Sequence, residues 1–479
     1  MWLWLVGCPE TKSETGDSGS ETETAIEPGE SGETGDSGAP PAPLGPTRGL
    51  LQFHLVHDLE DDGCLAAGDC FLTIEERDDV DGWIDALAAD ADAPVLHWDQ
   101  GVPWSVFAAP VPAGEDPDAF YRARLDPELV AWVDAYAAWF AEAGRGYLAV
   151  SILDGTRSGL AADLHGLDAA TAIGSPCGDF SPGATHTAAD GTPFALGPTY
   201  TAFVTWLARA VRPDQLGLMV ELNLLRDSCP GSWDGAVDSY HQLYDAARAE
   251  LGPEVALFPT LSLPPLLGYE DGCMGELAFV TCDQEPPAPP VVDPATCFPG
   301  DPTALDDLAE GGRVDVLALS LYPEGLGMAL PGDPDPVMRV WDPAALDGPC
   351  AVQAQLPAWV DPLPSIAALG WDGPVAMAET SARSCPSTLW YDDGTTALVA
   401  SMPGSDAGQA AWVELIRSHD EWRFVNQSFL RDYPPLGTWT VEQGVLDPVT
   451  FSLFNLWACS GLYTADGEPK PALAPWRAP

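Results

Sequence analysis

Positive charge is scarce in this chain: 19 Lys and Arg stand against 73 Asp and Glu over 479 residues, a formal net charge of -54. A surface of that sign repels phosphate backbones and anionic headgroups, so nucleic acid is not an expected partner. The acid excess itself reads as a solubility device. Long apolar runs are also missing, since no segment has the roughly 18 uninterrupted apolar residues that crossing a bilayer takes. There is no C-x-x-C pair, no His-rich spacing and no EF-hand loop, so no metal is expected. Nor does a Gly-rich turn follow the first apolar run, which leaves a nucleotide-binding open sheet without support and no cofactor expected.

Cysteine, by contrast, is plentiful. Eleven are more than a reducing cytosol ordinarily tolerates, and they point to an oxidising compartment. The first, Cys8, closes Leu5-Val6-Gly7-Cys8, which resembles the lipobox at which bacterial lipoprotein signals are cut and the cysteine is acylated. Residues 1–8 are therefore read as a signal remnant, and residues 9–48 as an acidic Ser/Thr/Gly/Pro tether with too little apolar content to fold. The chain is expected outside the cytoplasm, at the cell surface, outer membrane or periplasm, touching a membrane only through that lipid. The other ten cysteines allow five bridges, and nearness along the chain suggests Cys64–Cys70, Cys177–Cys229 and Cys350–Cys385.

From residue 49 to 479 short apolar runs alternate with longer segments of helical period. Eight runs are legible: 50–56, 94–98, 147–153, 216–223, 255–262, 314–322, 374–380 and 422–429. Eight helices are expected between and after them, at 79–89, 127–143, 198–211, 233–251, 302–311, 356–369, 406–419 and 448–459. That count predicts an α/β fold in the form of a closed eight-stranded parallel β/α (TIM) barrel. The Pro-, Gly- and Cys-rich stretches 154–197, 263–301, 323–356 and 381–405 are expected to be long, disulfide-bridged loops around a cleft.

Barrel enzymes carry their chemistry where strands end. Strand four, Leu218-Met-Val-Glu221-Leu-Asn223, and strand seven, Val375-Ala-Met-Ala-Glu379-Thr380, each run into a carboxylate. In a closed barrel those ends face each other, as a two-carboxylate glycosidase requires. Either glutamate alone would equally suit a structural ion pair.

With these two strands, strand six, ending Ser320-Leu321-Tyr322-Pro323, and the tail 460–472 complete a pattern that resembles glycoside hydrolase clan A, most nearly the endo-β-1,4-galactanases of family 53. The resemblance implies Glu221 as acid/base, Glu379 as nucleophile, and Tyr322 lining the sugar site and bonding the nucleophile. Two positions differ. Val220 stands where the clan has an Asn that bonds the sugar 2-hydroxyl, with Asn223 two residues beyond Glu221 as a possible stand-in facing the cleft. The strand-two Arg is missing from Val95-Leu-His97-Trp98-Asp99, leaving His97 or His57 to supply positive charge when protonated.

Trp98, Asp99, Asn223, Tyr322, Trp390 and Asp432 are the expected sugar contacts, with Trp104, Tyr391 and Trp439 as further stacking aromatics. The leading expectation is a retaining glycosidase acting on a polysaccharide as a monomer. The alternatives are a non-catalytic glycan-binding barrel and a structural surface lipoprotein.

Overall fold

The structure, a computed structural model, describes residues 47–51, 80–167, 169–268, 293–323, 327–341, 352–358, 361–392, 397–433, 437–442 and 448–478, with Glu285, Pro286, Ala288 and Cys350 besides. Cys8, nearly all of the tether, His54, His57 and the Cys64–Cys70 pair lie outside them.

Among the described residues nine short parallel strands form two sheets. One has the order Thr47–Leu51, Trp422–Ser428, Val375–Thr380, Leu317–Leu321, Thr260–Ser262. The other runs Val95–Trp98, Tyr147–Val150, Gln215–Gly217, Ala256–Phe258. Only Pro259 separates Ala256–Phe258 from Thr260–Ser262, so the second sheet passes directly into the first. Within each sheet the strands follow chain order, and Trp422–Ser428 lies beside Thr47–Leu51. Among the described residues the one junction without a ladder is that between Thr47–Leu51 and Val95–Trp98.

Those two strands nonetheless meet closely. A Cβ placed on Gly49 would lie 2.3 Å from Val95 Cγ2 and 2.2 Å from Asn426 Oδ1, nearer than such contacts allow. Glycine is what lets the strands approach. Gly49→Ala is expected to cost about 1–3 kcal/mol of stability through overpacking. A drop in the thermal midpoint checks this, and an unchanged midpoint would mean that the strands part freely.

Helices form where the sequence caps them. Pro127–Ala143 follows Asp126, whose carboxylate accepts from Glu128 N (2.9 Å) and Leu129 N (3.1 Å), and it stops at Gly144 with φ 66°. Trp233–Leu251 stops at Gly252 with φ 84°. Strand alternation then sorts the aromatics. Trp98 points outward, edge-on to Trp132 and Phe203 of the covering helices, while Tyr147 packs on Phe258 and Phe424.

Three expectations are corrected. Among the described residues of 356–369 the helix covers Leu363–Ala367, opening at Pro362 and Pro364, which suit a first turn but not a helix interior, and Val352–Gln355 just before is a strand. The stretches 323–356 and 381–405 are not simply loops. Val337–Trp341, Val352–Gln355, Ser387–Asp392 and Ala397–Met402 pair into one antiparallel sheet, against which Pro448–Trp457 packs. Cys385 bonds Cys459 rather than Cys350, because the chain after Val375–Thr380 runs along the end of Pro448–Trp457, where Ser384 N meets Cys459 O at 2.9 Å. Cys177–Cys229 is present as expected, and Cys297 and Cys350 are also disulfide-bonded.

Candidate active site

Glu379 lies near the carboxyl end of its strand, 2% exposed. A register shift in the neighbouring Leu317–Leu321 sets Ser320 opposite it. Ser320 Oγ donates to Oε1 (3.2 Å) and Tyr322 OH to Oε2 (3.0 Å). His97 Nδ1 stands 3.7 Å from Oε1. Burial pushes the Glu379 carboxyl up to about 7, against the pull of Arg157. It pushes His97 down to about 4, so that imidazole is neutral near pH 7 and supplies no charge.

Glu221 lies beyond its strand, which ends at Gly217. Residues 218–222 continue irregularly along Ala256–Ser262, held by Leu218 N to Phe258 O (2.8 Å) and Glu221 N to Thr260 Oγ1 (2.8 Å). Glu221 itself has φ 47°, left-handed for a non-glycine residue. Burial raises its pKa first, Arg157 opposes that, and Glu379 adds to the rise. The two carboxyl groups are therefore electrostatic neighbours.

The missing cation comes from Arg157, in the loop after Tyr147–Val150. Its guanidinium clasps Asp99 in a fork, with Nη1–Oδ1 at 2.9 Å and Nη2–Oδ2 at 2.8 Å, while Nε meets Glu221 Oε2 at 3.1 Å. Desolvation by itself would lower the Arg157 pKa, but Asp99 and Glu221 outweigh it and keep the group charged. In the sequence Arg157 is one polar residue of Asp154-Gly-Thr-Arg-Ser-Gly. The signal that could have found it is the rarity of basic residues, since an Arg just past a strand end stands out among only 19.

Several sequence candidates go elsewhere. Trp98 is fully buried, with Nε1 bonded to Gly101 O (2.7 Å), and it offers no face to a sugar. Trp104 is likewise buried, stacked on Phe194 and bonded to Ala161 O (2.8 Å). Asn223 is buried rather than facing a cleft, with both ends of its amide engaging the Ser262 backbone at 2.7 and 2.8 Å. Asp432 is engaged by Lys470 Nζ (2.7 Å) and Gly461 N (2.9 Å). Trp390, 6% exposed, packs between Val399 of the antiparallel sheet and Phe451 of the helix Pro448–Trp457. The Tyr391 and Trp439 side chains lie outside the described residues. Asp99 serves as the clasp on Arg157, and Tyr322 sits on Glu379.

Among the described residues no group of three or more His, Cys, Asp or Glu could hold a metal, and no helix is long and apolar enough to cross a membrane. No family model matches the chain, and no curated protein matches it. Among solved structures it is similar to the exo-beta-1,4-mannosidase Op5Man5 from Opitutaceae bacterium strain TAV5, at 15% identity and TM-score 0.47, covering 90% of this chain and 58% of that one. It is also similar to the b-glucuronidase from Ruminococcus gnavus, at 12% identity and TM-score 0.30, covering 59% of this chain and 35% of that one. The chain thus spans less than two thirds of either protein. Both TM-scores lie below 0.5 and decide nothing about substrate or mechanism.

Proposed function

We propose that this protein is a retaining O-glycoside hydrolase on a closed eight-stranded barrel, with Glu379 as nucleophile and Glu221 as acid/base. The observation that carries the reading is the meeting of two carboxylates, buried Glu379 near the end of its parallel strand and half-buried Glu221 just past the end of its own, the first held by Tyr322 and Ser320 and the second by Arg157. Ionised Glu379 attacks the anomeric carbon while protonated Glu221 passes its proton to the leaving oxygen. Glu221, then a carboxylate, takes a proton from water as that water hydrolyses the glycosyl ester. A polysaccharide is the proposed substrate. The bridged cysteines support an oxidising compartment, with Cys8 and the stretch 9–48 proposed as lipid anchor and tether.

A panel of plant, algal and microbial β-glycans, with product stereochemistry followed by NMR, tests this. Retention of configuration is expected. Because attack needs Glu379 ionised, turnover should fall as the pH drops through about 7 and its carboxyl takes up a proton. Inverted product, or an acidic limb near 4, would overturn the assignment.

A second reading, glycan binding without cleavage, is favoured by the Arg157–Glu221 pair. A guanidinium 3.1 Å from Glu221 favours its ionised form, which cannot donate a proton, and so works against the upward push of burial. Glycan affinity without turnover across the pH range would select it.

A further inference from the structure

The residue that orients Glu221 belongs to no strand or helix, so something must hold its loop in place. The loop is partly self-supporting. Asp154 Oδ1 accepts from Thr156 N (3.1 Å), Thr156 Oγ1 (2.8 Å) and Gly159 N (3.2 Å), and Arg157 N donates to Asp154 O (3.0 Å). These bonds shape the turn without fixing it to the wall that carries Glu221. Moreover, Arg157, Cys177 and Glu221 all take positive φ, at 57°, 57° and 47°. Left-handed backbone at a non-glycine residue persists only where its surroundings hold it.

What lies against the loop is the bridge between Cys177 and Cys229. Cys177 N donates to Ser158 O at 2.8 Å, and Ser228 Oγ, one residue before Cys229, shares its single proton between Arg157 O at 3.2 Å and Leu224 O of its own helix at 3.0 Å. Cys229 Sγ lies 3.7 Å from the same Ser158 oxygen. The carbonyls of Arg157 and Ser158 are thus gripped from both ends of one disulfide. Cys229 caps the short helix Asn223–Ser228, which begins two residues after Glu221. One bond therefore ties the loop bearing the guanidinium to the segment bearing its carboxylate. Cys229 is buried and Cys177 exposed, so the bridge is reached from the solvent side.

We propose that the Cys177–Cys229 disulfide is a positioning element of the active site, holding Arg157 against Glu221 and so setting the charge state of the acid/base. The proposal rests on the glycosidase reading for its consequence in turnover, but not for its effect on the Glu221 carboxyl. With the bridge opened, Arg157 keeps its fork onto Asp99, but its loop loses the tie to the segment bearing Glu221, and the guanidinium can draw away from that carboxylate. The groups left in electrostatic reach of Glu221 are then Asp99, Glu379, neutral His97 and the hydroxyls of Tyr147 and Tyr322, with no cation among them. Losing a nearby positive charge raises a carboxyl pKa. Both limbs of the pH–rate profile should move to higher pH, since Arg157 also lowers Glu379.

The test is the double variant Cys177→Ser/Cys229→Ser, with Arg157→Met alone and the triple variant. In the double variant kcat should fall about tenfold or more through misplacement of the pair, and the profile should shift upward by about one unit. Adding Arg157→Met should shift it no further. Additive effects, or a tenfold loss without a shift, would reduce the bridge to a merely structural role. Titration of the Glu221 carboxyl, followed by its 13C resonance with Glu221→Gln as the assignment control, reads the same shift without substrate. A raised Glu221 in a protein that turns over nothing sustains the positioning role while the hydrolase reading fails. An unmoved Glu221 overturns the positioning role whatever the activity. If the double variant does not fold, Ser228→Ala removes the hydroxyl shared between Arg157 O and the helix carbonyl of Leu224 while leaving the bridge intact, and should produce a smaller shift in the same direction; no shift there also overturns the proposal.

Discussion

Glu379→Gln is expected to abolish turnover and to yield a protein more stable than its parent above neutral pH. Glutamine has the same shape, cannot ionise and cannot form the glycosyl ester, so a loss of at least about 10⁴-fold in kcat is expected. The stability gain follows from burial. The folded-state pKa of Glu379 is pushed from 4.5 to about 7, which means that the interior tolerates the neutral acid and penalises the anion. A carboxyl raised in this way contributes its full stability below about 4.5 and loses it as the pH rises through 7. Glutamine escapes that loss. At pH 8 the variant should be more stable by up to about 3 kcal/mol, the shift converted at 1.36 kcal/mol per unit, less whatever its amide forfeits against Tyr322 and Ser320. At pH 5 the advantage should have largely gone. Denaturant unfolding at the two pH values measures it, and an equal difference at both would show that Glu379 is not held protonated by burial.

The second large effect is at Arg157. Arg157→Met keeps much of the aliphatic packing but leaves Asp99 and Glu221 facing each other with no counter-charge, at 16% and 15% side-chain exposure. Breaking such a pair by removing one partner costs about 3–5 kcal/mol, because the remaining charge is buried and uncompensated. Lysine should not restore it, since an ammonium cannot reproduce the fork onto Asp99 while also reaching Glu221. Asp99→Asn in the Arg157→Met background should recover part of the loss by removing one stranded charge. A cost below about 1 kcal/mol for Arg157→Met would place the pair among surface ion pairs and remove it from the account of the site.

The same residue divides what was legible from what was not. The alternation of apolar runs with amphipathic segments identified the parallel strands and most of the helices, and where caps were explicit, as at Asp126 and Gly144, the boundaries agreed to the residue. Glu221 and Glu379 were visible for the same reason, since a carboxylate closing an apolar run is conspicuous in a linear pattern, although the strand before Glu221 ends at Gly217. Tyr322, one residue beyond its strand, came from the resemblance of Ser320-Leu321-Tyr322-Pro323 to the glycoside hydrolase pattern.

Trp98 was misread because the period of two was not carried through. If His97 points inward, its neighbour must point outward into the helices, and the indole was lost to the site by geometry alone. The antiparallel sheet built from 337–341, 352–355, 387–392 and 397–402 lay hidden because its strands come from two separate interstrand segments and pair only with one another. Local pattern therefore determined the strands, the main helices and the two carboxylates, whose placement depends on neighbours a few residues away. The tertiary structure alone decided what surrounds them: Arg157 reaches Asp99 across 58 positions and Glu221 across 64, and the Cys177–Cys229 bridge closes over 52. Contacts at such separations leave no local period in a sequence, because chain folding rather than chain order brings the partners together.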